Sequence, residues 1–162
     1  MAKRADPHEW SKHPGLQLGS MTNHSTRYRT QWTAQFYVAA ELTRRGYLVS
    51  LTLGTAPAAD LLVSSPRGKH FAVDVKGQST RNSWLIQKRE IRDDLYFVLV
   101  YLPRDLAEPP TFFVLTCAEM MEKRAEYRAH IESQGGKYRD DMGGFNWATA
   151  FEYEERWDVL PR

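Results

Sequence analysis

A chain of 162 residues can bury one core but not two, and 42% hydrophobic with 12% aromatic residues excludes an intrinsically disordered protein. The net charge is only +2, so no global basic field marks a nucleic-acid binder and any phosphate-binding surface must be a local patch. The single Cys117 cannot form an internal disulfide, no apolar run reaches the length of a membrane span, and no apolar stretch follows the basic N-terminus. The chain therefore reads as cytoplasmic, with Cys117 a buried, inert thiol beside Phe112-Phe113-Val114-Leu115.

Residues 1–29 hold Pro7, Pro14, Gly15 and Gly19 among scattered basic residues without apolar period, and read as an N-terminal tail or arm. From Thr30 to Arg45 the pattern predicts a helix closed by Gly46, apolar around most of its circumference and so substantially buried. Glu41 has Arg44 and Arg45 at the spacing of a surface ion pair, whereas Gln35 shares the more apolar stripe with Val38, Ala39 and Leu42. Tyr47 to Leu53 predicts a strand, and Gly54-Thr55-Ala56-Pro57 connects it onward.

Next comes a predicted β-hairpin: Asp60-Leu61-Leu62-Val63-Ser64, the turn Ser65-Pro66-Arg67-Gly68, and the return Lys69 to Lys76. Symmetry about Arg67 sets residue 60 opposite residue 74, placing two carboxylates side by side unless a cation intervenes or one is protonated. Period-2 alternation puts Phe71, Val73 and Val75 on one face, and His70, Ala72, Asp74 and Lys76 on the other. Two carboxylates and a lysine converging at a hairpin end suit magnesium-dependent cleavage of a phosphodiester, though solvated strand-end charges are an equally common reading of such residues.

The segment Gly77 to Ser83 reads as a polar loop in which Gln78 keeps the parity of Asp74 and Lys76. Trp84-Leu85-Ile86 follows, and Lys88, Arg89 and Arg92 form a basic cluster whose default is solvation. Leu95 to Leu102 is a nearly continuous apolar run, the pattern of a central strand covered on both faces and ended by Pro103. Thr111 to Leu115 predicts a further strand, and Ala118 to Ser133 a helix. The core thus spans residues 30–133, and residues 134–162, carrying Tyr138, Phe145, Trp147, Phe151, Tyr153 and Trp157, read as an aromatic strap. Its Asp and Glu residues oppose a phosphate backbone and favour packing on the core. No phosphate-binding Gly loop, CxxC pair, nucleophile elbow or zinc-like His spacing occurs.

The order of an apolar helix, Asp60, then Asp74-Val75-Lys76 resembles the PD-(D/E)xK nuclease superfamily, which includes restriction endonucleases and archaeal Holliday-junction resolvases. The resemblance covers roughly residues 30 to 116, with Ala59 rather than proline before Asp60 and Pro57 three positions earlier. It implies an α/β restriction-endonuclease-like core of the αβββαβ type, a mixed sheet of about five strands flanked by helices. It further implies Mg2+ or Mn2+ held by Asp60, Asp74 and the Val75 carbonyl, with Lys76 serving the attacking water. The family's helix glutamate, in a segment resembling Gly-Glu-x-x-Val-Ala-Ala-Glu-Leu, aligns with Gln35, which could ligate through its amide oxygen but brings no charge. Gln78 is a candidate contact for the phosphate or the water. The implied function is a metal-dependent endonuclease hydrolysing DNA, with DNA as partner, no membrane, and a homodimer presenting two sites to two strands. The rival expectation is a weak or inactive nuclease-like fold that binds nucleic acid or a partner protein, a reading that Gln35 favours.

Overall fold

The computed structural model describes residues 23–52, 59–140 and 144–162, with side chains from residue 26 onward. The expectations for residues 1–22, for the Gly54 to Pro57 connection and for residues 141–143 lie outside the described residues.

Helix α1 spans Asn23–Arg44 and begins seven residues before the predicted Thr30. The added turns contain no apolar period for a sequence reading to find, and local contacts hold them instead. The Thr30 hydroxyl donates to the Thr26 carbonyl at 3.0 Å, and the Tyr28 and Trp32 rings meet edge to face at 6.1 Å, one helical turn apart. At the other end Gly46 takes φ +88°, the left-handed conformation that terminates a helix as predicted. The expectation of burial around most of the circumference is corrected. Ala34, Gln35, Val38 and Leu42 are buried, while Tyr28, Phe36 and Tyr37 are exposed, because the sheet covers only one side of the helix.

The strands are β1 (Leu48–Leu51), β2 (Leu61–Ser64), β3 (His70–Gln78), β4 (Trp84–Leu85), β5 (Leu95–Tyr101), β6 (Thr111–Thr116) and β7 (Gly144–Phe145), with helix α2 (Cys117–Ser133) following β6. Five of them form one sheet in the order β1-β2-β3-β5-β6, and β4 and β7 form a separate two-stranded ribbon. The β2–β3 hairpin pairs Leu61 with Val73 and Ser64 with His70, the register expected from the symmetry about Arg67. Its turn closes with the Gly68 N–H donating to the Ser65 carbonyl at 2.9 Å, and Gly68 adopts φ +80°, where a side chain would be strained. All other neighbours are antiparallel, but β3 and β5 run parallel from Ala72 opposite Leu95 to Gln78 opposite Tyr101.

The mixed five-stranded sheet flanked by helices is the expected fold class. One connection differs from the αβββαβ shorthand: the crossover from β3 to the parallel β5 contains β4 and no helix. Trp84 and Ile86 are buried and Leu85 between them is exposed, an alternation of period two that suits a strand and leaves no helical stripe. The predicted loop at Gly77 and Gln78 is likewise corrected, since β3 continues through both residues.

Each face of the sheet is covered. Phe71, Val73, Val75, Val98 and Val114 pack against Ala34, Val38 and Leu42 of α1 and against Trp157 and Leu160 near the C-terminus. On the opposite face Ala72, Phe97, Leu99, Phe113 and Leu115 pack against Met120 of α2, Trp84 and Ile86, and Phe145, Ala150 and Tyr153. Six of the seven β5 residues are buried, so this strand is the shared floor of both layers. Cys117 is buried, its thiol 3.7 Å from the Glu90 carbonyl. Helix α2 opens on a reciprocal cap between Thr116 and Glu119, and both terminal nitrogens of Arg156 reach Glu119 at 3.0 Å, joining residues near the C-terminus to that helix.

Helix α1 lies so close to β3 that a Cβ at Gly77 would sit 2.6 Å from the Ala34 Cβ and 2.9 Å from the Thr30 carbonyl oxygen. Gly77→Ala should therefore destabilise the fold by about 1–3 kcal/mol, the usual scale of overpacking, in urea unfolding. Unchanged stability would show that α1 does not rest on β3 at this point.

Candidate functional site

The site grows from a change in strand pairing. Strand β2 accompanies β3 only as far as Val73, and the last ladder bond runs from the Asp60 N–H to the Val73 carbonyl at 3.0 Å. Beyond Val73 the β3 backbone would present unpaired donors and acceptors on its β2 side, an arrangement that costs free energy in a partly buried setting. Side chains take the place of the missing strand. Asp60 Oδ2 accepts from the Val75 N–H at 2.7 Å, Gln31 Nε2 donates to the Val75 carbonyl at 2.7 Å, and Gln31 Oε1 accepts from the Gly77 N–H at 3.1 Å.

Gln35, one helical turn beyond Gln31, donates from Nε2 to Asp60 Oδ1 at 2.7 Å. The Asp60 carboxylate, an acceptor only when ionised, fixes which end of the amide faces it. Gln35 Oε1 is then left buried without a hydrogen-bond partner. On the near side, Thr52 holds the start of β2 through hydroxyl bonds to the Ala59 and Asp60 carbonyls at 2.6 and 3.0 Å.

Asp74 and Lys76 lie on the face of β3 away from α1, as the alternation predicts. Asp74 is 2% exposed, and such a carboxylate needs compensating charge. It has two cations: Lys76 Nζ lies 2.5 Å from Oδ1, and an Arg89 guanidinium nitrogen lies 2.6 Å from Oδ2. Each oxygen of this buried carboxylate thus faces one cation. Removing one partner of a buried pair of this kind typically costs about 3–5 kcal/mol, against about 0.3–0.5 kcal/mol for a helix-surface pair.

Burial pushes the Asp60 carboxyl above its ordinary range. The Val75 N–H opposes this, the Asp74 charge adds to it, and Lys76 and Arg89 pull it back down. Asp60, Asp74, Lys76 and Arg89 thus share one electrostatic neighbourhood.

Of the predicted residues, the structure brings together Gln35, Asp60, Asp74, Val75 and Lys76. Gln78 lines the adjoining cleft, but its amide donates to the Asn82 carbonyl at 2.9 Å and ties the following loop. Glu41 pairs with Arg45 and, at 3.5 Å, with Arg44, the surface arrangement expected of it. Two participants were missed. Gln31 carried a signal, its i−4 spacing from Gln35 on one helix face. Arg89 carried none, because nothing local separates it from Lys88 and Arg92. It reaches Asp74 because the Ile86 carbonyl on its loop accepts from the buried Arg124 at 2.9 Å and the Arg89 N–H packs 3.4 Å from the Met121 sulfur.

Among the described residues no cluster of three or more His, Cys, Asp or Glu side chains is placed to hold a metal ion. A cation here would rest on two carboxylates and neutral oxygens. The orphaned Gln35 Oε1, Asp60, Asp74 and the Val75 carbonyl offer hard oxygen donors of the type that magnesium takes. The donor chemistry fits such an ion.

No protein-family model matches the sequence, and no curated protein matches it significantly. Among solved structures the chain is similar to a bacterial homing endonuclease, with 17% identity and a TM-score of 0.47 over 82% of this chain and 90% of that one. Among the described residues no helix is long and apolar enough to cross a membrane.

The raised Asp60 carboxyl has a consequence for stability. A folded pKa above the unfolded value stabilises the native chain fully at pH below the ordinary 3.8, and that contribution is lost as pH rises through the folded value. Asp60→Asn cannot ionise, so its stability relative to wild type should improve as pH is raised from acid to neutrality, measured by urea unfolding across that range. A wild-type-to-variant difference that stays constant with pH would contradict the burial of an ionisable Asp60 in the native state.

Proposed function

We propose that the chain is a metal-dependent nuclease of the PD-(D/E)xK type that hydrolyses DNA phosphodiester bonds, with Asp60, Asp74 and Lys76 as its working residues. The observation that supports this most is the placing of Asp60 and Asp74 in one electrostatic neighbourhood at the point where β2 leaves β3, with Lys76 against Asp74. Asp60, Asp74, the Val75 carbonyl and Gln35 Oε1 would hold Mg2+ or Mn2+. Such an ion supplies charge neutralisation at the phosphate and a more acidic water.

The chain's own residues do the rest. Gln31 and Asp60 lock the Val75 peptide, which keeps the Val75 carbonyl aimed in one direction. Gln35 holds Asp60 from the helix side. Lys76, about a third exposed, has its ammonium beside Asp74 and open to the cleft, where it can donate to the attacking water and orient it. Arg89 adds a fixed positive charge next to the same carboxylate, suited to the charge that develops on a phosphate in the transition state.

A second reading, a nuclease-like fold that binds nucleic acid without cleaving it, is favoured by two observations. Gln35 contributes no charge, and both Asp74 oxygens already face cations.

A cleavage assay on plasmid, linear, single-stranded and branched DNA with manganese separates the two. The nuclease reading expects slow cleavage by the wild type, loss of it in Lys76→Ala, and an increase in Gln35→Glu, whose added carboxylate strengthens the hold on a cation. No cleavage by wild type or Gln35→Glu would leave the binding module. Mg2+ or Mn2+ should also raise the melting temperature, because a ligand of the native state alone stabilises it. Asp74→Asn should lose that rise, and equal rises in both proteins would reject Asp74 as a ligand.

A further inference from the structure

A cleft of about 740 Å³ runs along the exposed edge of β3, between the N-terminal half of α1 and the loop that leads to Arg89. Its lining has one sign of charge. Arg27, Lys76 and Arg89 line it together with Thr26, Thr30 and Thr80, and among the described residues no Asp or Glu lines it. Asp74 is buried and both its oxygens are paired with Lys76 and Arg89, which line the cleft as cations while the acid does not. Arg27 is exposed and has no ion-pair partner among the described residues, although acids make up 20 of the chain's 162 residues. A groove that collects guanidinium, ammonium and hydroxyl donors on an otherwise nearly neutral protein is matched to a polyanion whose charges repeat along a chain.

Size narrows the ligand further. A volume of 740 Å³ lies in the range of small-molecule pockets, far below what a double helix with a major groove about 12 Å wide would fill. We infer that this cleft is a subsite for the sugar-phosphate backbone of one unpaired nucleic-acid strand, with Arg27 as a phosphate contact remote from the reacting atoms and the hydroxyls of Thr26 and Thr80 as further donors. The inference rests on the nuclease reading for its biological sense and specifies the substrate: a single strand, or the unpaired arm of a branched molecule, led past Lys76.

Binding is measured by fluorescence anisotropy with labelled oligothymidylate, oligouridylate and a DNA duplex of the same length, all in EDTA so that no cleavage contributes. The full chain should bind at least one single strand about tenfold tighter than the duplex, and the two single-stranded arms tell DNA from RNA. Arg27→Ala should weaken single-strand binding about tenfold and lower the slope of log K against log salt by about 0.7, the share of one phosphate contact. Thr80→Glu, which puts an acid into the cleft at an exposed position, should weaken it at least as much. Duplex bound as tightly as single strand, or both variants binding like wild type, would overturn the cleft assignment whatever the cleavage assay gives. Intact, variant-sensitive binding without cleavage would overturn the nuclease reading and leave the subsite standing.

Discussion

The structure depends on how the backbone of β3 is satisfied after β2 turns away. A strand that continues past its neighbour exposes N–H and C=O groups along one edge, and in a partly buried setting each must find a partner. Here the partners are Asp60, the residue just before β2, and Gln31, from the helix lying across the sheet. Because the pairing is made by side chains and not by another strand, the edge beside them stays open enough to form a cleft. The same bonds lock the helix, the hairpin and the central strand into one geometry, so that Gln35 meets Asp60 without a separate support.

Charge is arranged to suit this opening. Asp74 sits nearly inaccessible on the far face of β3, where an ionised carboxylate is tolerated only with close cations. Lys76 arrives from two residues along the same strand, and Arg89 arrives from a loop held by Arg124 and lies over the Phe97 ring at 5.8 Å. Both cations pair with Asp74 and act on Asp60 only through space, and together they balance the charge of the two carboxylates. Both residues also line the cleft, so a chain of small net charge has a locally basic lining there.

The glycine at position 77 shows how tightly these requirements are linked. Its N–H must reach Gln31, and its missing side chain is what lets Ala34 and Thr30 of α1 approach the strand. A larger residue would push the helix away and loosen the amide that holds the Val75 peptide.

The amino-acid sequence by itself determined the elements whose signals are local. The symmetric hairpin register, the doubly covered β5, the left-handed close of α1 at Gly46, and the division between Gln35 on the buried stripe and Glu41 among surface arginines all follow from periodicity, turn chemistry and i,i+4 spacing. Tertiary structure alone decided what depends on meeting a distant partner. The first turns of α1 have no apolar period and are held by ring contacts, and the β3 to β5 crossover carries a short strand where the family pattern implied a helix. Above all, Arg89 looks like its solvated neighbours in sequence, and only a buried arginine on another helix, 38 positions from the carbonyl it anchors, brings it to Asp74. Periodicity reports which face of an element is apolar, and it says nothing about which charge a loop delivers across the fold.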